Sequence, residues 1–300
     1  MGRIAFVFSG QGDQHPGMGR EFAAMDAGKR VFDRCDSLRE GTLRQCLSGT
    51  EEELRETKNT QPCLFAMEMA AAAVLEEKGV HGDAAAGFSM GEVAALTYGG
   101  AMDLEKGFRL ICQRGLLMQK AAEKQDTAMA AVVKLSAERV EEICERFEAL
   151  YPVNFNSPGQ VSVAGKAEVM VPFFEEVKKA GGKAIPLKVK GAFHSPFMAE
   201  ASEAFGDLLR ESPIALPKLE VYSNVSAKPY RENPGELLAK QISSPVRWEE
   251  LIKNMVASGV DTFIEIGPGK TLCNLIRRID PAVKVCSAAE VLQEVSHAEG

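Results

Sequence analysis

The first apolar run of the chain, RIAFVF at residues 3–8, is β-type text that stops at the glycine-bearing turn Ser9-Gly10-Gln11-Gly12-Asp13. Polar helical text continues to about residue 57, and QPCLFAMEMAAAAVLEEKG, 61–79, has the length and apolar density of a buried helix closed by Gly79. A short buried strand at about 84–88 leads into Ser89 and a helix, and a further helix spans about 104–124. Strand alternating with helix predicts a parallel α/β core.

Between about 127 and 190 the pattern changes. TAMAAVVKL reads as a strand and SAERVEEICERF as a helix whose Ser136 start resembles a capping box, with Arg139 where Glu is ideal. VNFN and QVSVAG are strands around the turn Ser157-Pro158-Gly159, AEVMVPFFEEVKKAGG is a second helix, and KAIPLKV closes the segment. That order, β-α-β-β-α-β, is the ferredoxin-like arrangement. The expected organisation is a discontinuous large α/β domain of residues 1–126 and 191–290, an inserted small subdomain of 127–190, and a frayed tail of 291–300. In the second part of the large domain the pattern gives a helix after His194, a strand near LEVYSN, a helix at about 247–258, the strand DTFIEIG and a helix after Pro268-Gly269-Lys270.

Composition narrows the setting. A net charge of −7 leaves no footprint for nucleic acid or an anionic membrane. The seven cysteines are scattered without a C-x-x-C pair, which fits reduced thiols in a cytoplasmic protein. No Cys or His pair has metal-ligand spacing, so no metal site is expected. The run Ile4–Phe8 is too short for a signal-peptide core, and no stretch reaches membrane-span length. A monomer is expected.

The chemistry centres on Gly87-Phe88-Ser89-Met90-Gly91. Gly-x-Ser-x-Gly between a strand and a helix is the nucleophile elbow: the turn is too tight for flanking side chains, and it lifts the serine oxygen beside the amides of the helix N-terminus. The alternative is a tight turn with a chance serine, and the strand-to-helix placement favours the nucleophile. A serine at neutral pH needs a base, and only four histidines are available. His297 falls in the expected tail, His81 on a polar turn before the strand, and His15 in a glycine-rich loop. That leaves His194 in GAFHSPFM, after Ser89 as in hydrolase chain order. No acid between the two stands out as a third member.

Two other glycine-rich segments fail as nucleotide loops. GQGDQH has His15 where a third glycine belongs, and GPGKT has Ile264 where the first Walker glycine belongs. Both read as tight turns at strand ends on the elbow's edge. Arg114-Gly115 is unusual within a helix, where Gly is about 1 kcal/mol worse than Ala. A solvated Arg114 is the default; the functional alternative is that Gly115 leaves room for a substrate to approach it.

In order along about 3–285, FVFSGQGDQ, NTQP, GFSMGEVAAL, QRGLLMQ, MAAVV, NFNSPGQVSVAG, GAFHSPFM, SNV, SPVRW and IEIGPGKTL resemble the malonyl-CoA:acyl carrier protein transacylase family, shared with acyltransferase domains of polyketide and fatty acid synthases. The resemblance implies an α/β-hydrolase-like core with a parallel sheet plus an inserted ferredoxin-like α+β subdomain. It implies ping-pong transfer of malonyl from malonyl-CoA to the phosphopantetheine thiol of acyl carrier protein, with no cofactor. By the family pattern Ser89 is acylated, His194 is its base, and the Gln241 carbonyl orients that histidine. The N–H groups of Gln11 and Met90 form the oxyanion hole. Arg114 pairs with the malonyl carboxylate, a geometry Lys cannot copy. Asn156, Asn154 and Gln61 line the site, and Phe193, before the base, fits malonyl-selective members. The chain departs from the family's usual His at 88, Pro at 9 and Ser at 13, where it carries Phe88, Ser9 and Asp13. Phe88 could narrow the same space as Phe193. Two rivals remain, a serine thioesterase or hydrolase and a catalytically idle carrier-binding subunit.

Overall fold

The computed structural model describes residues 2–189 and 191–298. Among them, nine strands run in chain order: β1 (Arg3–Phe8), β2 (Ala84–Gly87), β3 (Thr127–Val133), β4 (Leu150–Ser157), β5 (Gln160–Lys166), β6 (Lys183–Pro186), β7 (Glu220–Tyr222), β8 (Val260–Ile266) and β9 (Lys284–Ser287). Five form a sheet ordered β7-β2-β1-β8-β9, with every pairing parallel. The unbroken apolar text of β1 follows from that placement. Phe6 and Phe8 enter one core with Ala85 and Ile264, while Ala5 and Val7 enter another with Ala84, Ala86 and Phe263. A central parallel strand covered on both faces has no polar side to alternate with. The Thr57–Glu77 and Leu104–Ala122 helices supply the first core, and Trp248–Ala257 and Thr271–Ile279 the second.

Phe8 pairs with both Gly87 and Ile266, so the turns after β1, β2 and β8 emerge level at the carboxyl edge. The chain leaves β1 towards β2 on one side while β8 lies on the other, the switch point at which open α/β sheets hold ligands. Both glycine-rich segments are turns on this edge. They are joined where Thr271 Oγ1 donates to Asp13 Oδ1 at 2.7 Å, and the bare Gly269 lies against the Asp13 side chain, where a Cβ would stand 2.6 Å from Asp13 Cγ.

The second sheet is antiparallel and ordered β4-β5-β3-β6, with the Ala137–Cys144 and Met170–Lys179 helices between its strands in the chain. This is the ferredoxin-like pattern read from the sequence. Its core packs Ala130, Val132, Val161 and Val163 against Val140, Ile143, Phe173 and Val177. A backbone clasp ties it to the large sheet's side of the molecule: Phe155 N–H donates to the Val246 carbonyl at 2.9 Å, and Val246 N–H to the Val153 carbonyl at 2.8 Å.

Two sequence expectations need correction. The long apolar helix spans Thr57–Glu77 rather than 61–79, and carries Pro62 in its second turn. The Glu56 carbonyl takes the N–H groups of Asn59 and Thr60, both at 2.8 Å, and starts the helix before the proline can interrupt it. Of the expected tail at 291–300, the residues up to 298 are not frayed, since a helix covers Ala288–Ala298, and 299 and 300 lie outside the described residues. Ser287 and Glu290 cap it reciprocally, Ser287 N–H donating to Glu290 Oε2 at 2.9 Å and Glu290 N–H to Ser287 Oγ at 3.4 Å. Val291 and Leu292 are buried, and Val295 packs beside them on the first core. Among the described residues, no helix is long and apolar enough to cross a membrane.

Candidate functional site

The elbow forms at the end of β2 because its backbone leaves no alternative to glycine at either flank. A Cβ on Gly87 would sit 1.9 Å from the Gly91 carbonyl carbon, and one on Gly91 would sit 2.4 Å from the carbonyl oxygens of both Phe8 and Ser9. Ser89 itself is left-handed, with φ 54°, as a sharp strand-to-helix turn demands. The Gly91–Tyr98 helix follows directly. Asn224, just beyond the neighbouring strand β7, clamps the turn: its Oδ1 accepts from Ser89 N–H at 2.8 Å, and its Nδ2 donates to the Gly87 carbonyl at 2.7 Å. Met90 and Gln11 lie in the turns beside Ser89 and after β1, and neither N–H meets an acceptor among the described residues.

His194 is the histidine that reaches this turn. Ser89 Oγ donates to His194 Nε2 at 2.6 Å, and His194 Nδ1–H donates to the Gln241 carbonyl at 3.0 Å. The ring is 4 % exposed, and its residue has φ 61°, a second left-handed conformation at the site. Burial, and then the charge of Arg114, lower its pKa to about 4, so the imidazole is neutral and able to accept a proton at neutral pH. The other histidines lie elsewhere: His15 and His297 are exposed, and the exposed His81 bonds Glu76.

Arg114 is completely buried, against the default of a solvated side chain. Burial pulls its pKa down to about 10, which leaves it charged at neutral pH. One terminal nitrogen donates to Gln61 Oε1 at 2.9 Å; the other donates to Gln241 Oε1 at 2.8 Å and lies 3.4 Å from Ser89 Oγ. Its Nε has no partner among the described residues. Gly115 does not open space for a substrate, as the sequence suggested. A Cβ there would lie 3.0 Å from the Thr57 carbonyl oxygen and 3.5 Å from Gln61 Cβ, so this glycine lets the Leu104–Ala122 helix approach the Thr57–Glu77 helix and brings Arg114 onto Gln61.

A serine, a neutral histidine held by a carbonyl, and a buried cation at the serine form an acyl-transfer geometry. The chain matches the acyl transferase domain family over residues 5–294. It is 37 % identical over 299 residues to the malonyl CoA-acyl carrier protein transacylase of Bacillus subtilis, covering 97 % of this chain and 94 % of that one. The chain belongs to the acyl transferase family.

Among solved structures, the malonyl CoA-acyl carrier protein transacylase from Clostridium perfringens superposes with a TM-score of 0.94 at 34 % identity, covering 99 % of this chain and 98 % of that one. A malonyl-transacylase in complex with its type II PKS acyl-carrier protein gives 0.90 at 33 % identity, covering 95 % of this chain and 94 % of that one.

Three further residues of this acyl transferase belong to the site and were not read from the sequence: Asn224, Glu92 and Tyr230. Glu92 is completely buried in the first turn of the elbow helix. It accepts from Tyr230 Oη, from Gln241 Nε2 at 2.7 Å and from Asn224 N–H at 3.3 Å. The signal available was a glutamate inside the otherwise apolar GEVAAL.

Asn154 and Asn156 are buried on β4, and among the described residues neither side chain bonds Ser89, His194 or Arg114. Asn156 Nδ2 donates to Ser162 Oγ at 3.1 Å, and both asparagine Oδ1 atoms lack a partner among the described residues. Phe193 is 8 % exposed and packs in the first core. Phe88 stands edge-on to Trp248 at 5.4 Å between ring centroids and packs against the second core. Ser9 is buried and donates to Glu68 Oε1 at 2.6 Å. Burial, and then the nearby Glu265, push that carboxyl well above its ordinary range.

Proposed function

We propose that the chain transfers a malonyl group from malonyl-CoA to the phosphopantetheine thiol of acyl carrier protein through an ester on Ser89. The observation that carries this reading is the buried Arg114 cation, 3.4 Å from Ser89 Oγ and without a partner at Nε among the described residues. A charged, forked donor in that position matches an acyl group bearing its own carboxylate. The serine–histidine pair alone is compatible with any acyl chemistry.

In the first half-reaction Ser89 Oγ attacks the thioester carbonyl and its proton passes to His194 Nε2. The carbonyl oxygen, now an anion, takes hydrogen bonds from the Gln11 and Met90 N–H groups. The tetrahedral species collapses as the C–S bond breaks, and the coenzyme A sulfur leaves with the proton from His194. The second half-reaction runs in reverse with the carrier thiol: its proton goes to His194, the sulfur attacks the ester carbonyl, and Ser89 recovers its proton. The imidazolium formed in each half faces the Gln241 carbonyl rather than a carboxylate. Gln61 and Gln241 fix the Arg114 fork.

The coenzyme A thioester is a substrate in this cycle, free coenzyme A is its product, and no cofactor takes part. The seven free thiols and the absence of a membrane-crossing helix among the described residues support a cytoplasmic setting. The test is a partition experiment in which malonyl-loaded protein is offered carrier protein in water. Transfer dominates on this reading, and release to water dominates if the chain is a hydrolase.

A further inference from the structure

We propose that Glu92 is a positioning residue for acyl transfer: the buried group that, through Gln241 and Asn224, holds His194, Arg114 and Ser89 in register. This rests on the acyl-transfer reading above. The chain order Ser–acid–His has no acid on the histidine, because His194 Nδ1–H meets a carbonyl. Glu92 supplies the negative charge one residue further out.

Two hydrogen-bonded routes leave its carboxylate. The first runs through Gln241. Its Nε2 donates to Glu92 Oε2 at 2.7 Å and to the Ser89 carbonyl at 2.6 Å, which turns its Oε1 to Arg114, while its backbone carbonyl accepts from His194 Nδ1–H. The second runs through Asn224, whose N–H lies 3.3 Å from each Glu92 oxygen and whose side chain clamps Ser89 and Gly87. An amide at position 241 presents two unlike ends, and the acceptor at Glu92 decides which end faces the arginine. Tyr230 Oη and Ser223 complete the shell, so the partners around the carboxylate act as donors. Protonating it would force one of these hydroxyls to turn from donor to acceptor and would weaken the acceptor that Gln241 Nε2 and the Asn224 N–H face.

Among the described residues, the titratable or charged groups coupled to Glu92 are Tyr230, from the loop after β7, and Arg114, from the Leu104–Ala122 helix. Burial raises the carboxyl to about 7, and the hydrogen bonds, Tyr230's first, oppose that rise. His194, at about 4, titrates well below. The rate of Ser89 malonylation therefore rises with pH through about 7 as Glu92 ionises.

The experiment is the pH profile of single-turnover malonylation by malonyl-CoA for the wild type, Glu92→Gln, Glu92→Asp and Tyr230→Phe. Glu92→Gln is expected to lose the limb near 7 and to lower the plateau about 10- to 100-fold, the effect of a small misplacement of reacting groups. The KM for malonyl-CoA should stay within about threefold, since the loss lies in the chemical step. Glu92→Asp recovers part of the plateau and keeps a limb. Tyr230→Phe removes a donor that favours the carboxylate and moves the limb to higher pH.

A merely structural Glu92 would lower thermal stability while leaving the limb in place, and that result overturns the proposal. A flat wild-type profile across pH 7 does the same. If Glu92→Gln does not fold, the Tyr230→Phe limb is read alone, and an unmoved limb is contrary evidence. A wild type that forms no Ser89 ester at any pH would instead remove the acyl-transfer reading beneath it.

Discussion

Replacing Arg114 with alanine separates the recognition of malonyl from the chemistry at Ser89. The guanidinium is completely buried, is held by Gln61 Oε1 at 2.9 Å and Gln241 Oε1 at 2.8 Å, and stands 3.4 Å from the Ser89 hydroxyl. A malonyl carboxylate bound there would form a largely desolvated charge pair. Truncating one partner of such a pair costs about 2–5 kcal/mol. At about 1.36 kcal/mol per factor of ten, kcat/KM for malonyl-CoA should fall roughly 30- to 5,000-fold. Acetyl-CoA has no carboxylate and should be affected far less. The substitution also strands two buried amide oxygens, at about 1–3 kcal/mol each in stability, so thermal melts must show that the variant is folded at the assay temperature. Arg114→Lys should fall between the two, because a single ammonium cannot form the fork and burial lowers its pKa. The assay is kcat/KM for both thioesters with all three proteins. Equal losses for malonyl-CoA and acetyl-CoA in Arg114→Ala would refute the reasoning and make the arginine a packing element.

Other substitutions test other parts of the account. Gly91→Ala drives a Cβ to 2.4 Å from two backbone oxygens that cannot yield, and should destabilise the fold by about 3 kcal/mol or more in chemical denaturation. Ser9→Ala removes the donor to the buried Glu68, whose other oxygen already lacks a partner among the described residues; thermal denaturation should show a loss of about 1–3 kcal/mol. Because folding raises the Glu68 pKa above the ordinary carboxyl value of 4.5, its contribution is full below about that pH and fades as pH rises towards the folded value. Glu68→Gln should remove that part of the stability–pH curve. Phe193→Ser tests selectivity at the malonyl α-carbon: a one-methylene misfit is worth about 1–3 kcal/mol, so the preference for malonyl-CoA over methylmalonyl-CoA should shrink by roughly 10- to 200-fold. An unchanged ratio would make Phe193 a core residue only.

What the sequence reveals depends on how local the cause is. The elbow is legible because the contacts that forbid side chains at 87 and 91 arise within a few residues and at the adjoining strand end. The ferredoxin-like segment is legible because its strand and helix periods change over short stretches. Gln241 emerges from family resemblance alone, because a backbone carbonyl leaves no mark on residue identity. Glu92, Asn224 and Tyr230 escape a local reading because the partners that join them to the elbow lie 132 to 149 residues away. Arg114 reads as solvated because a helix pattern does not reveal which long polar side chain finds buried acceptors. Pro62 hides the start of the helix that contains it. The last helix is written in Ser287, Glu290, Val291, Leu292 and Val295, but the polar residues among and after them obscure its apolar face.

The central claim, that Ser89 carries malonyl to a carrier thiol with His194 as base, is tested most directly by intact mass spectrometry before and after adding carrier protein. On this account malonyl-CoA adds one malonyl group, mapped to Ser89, and holo carrier protein removes it while gaining the same mass. Ser89→Ala takes up none, and His194→Ala takes it up about 10²- to 10⁴-fold more slowly. An adduct on any other residue, wild-type speed in His194→Ala, or loss of the adduct to water with none reaching the carrier would contradict it.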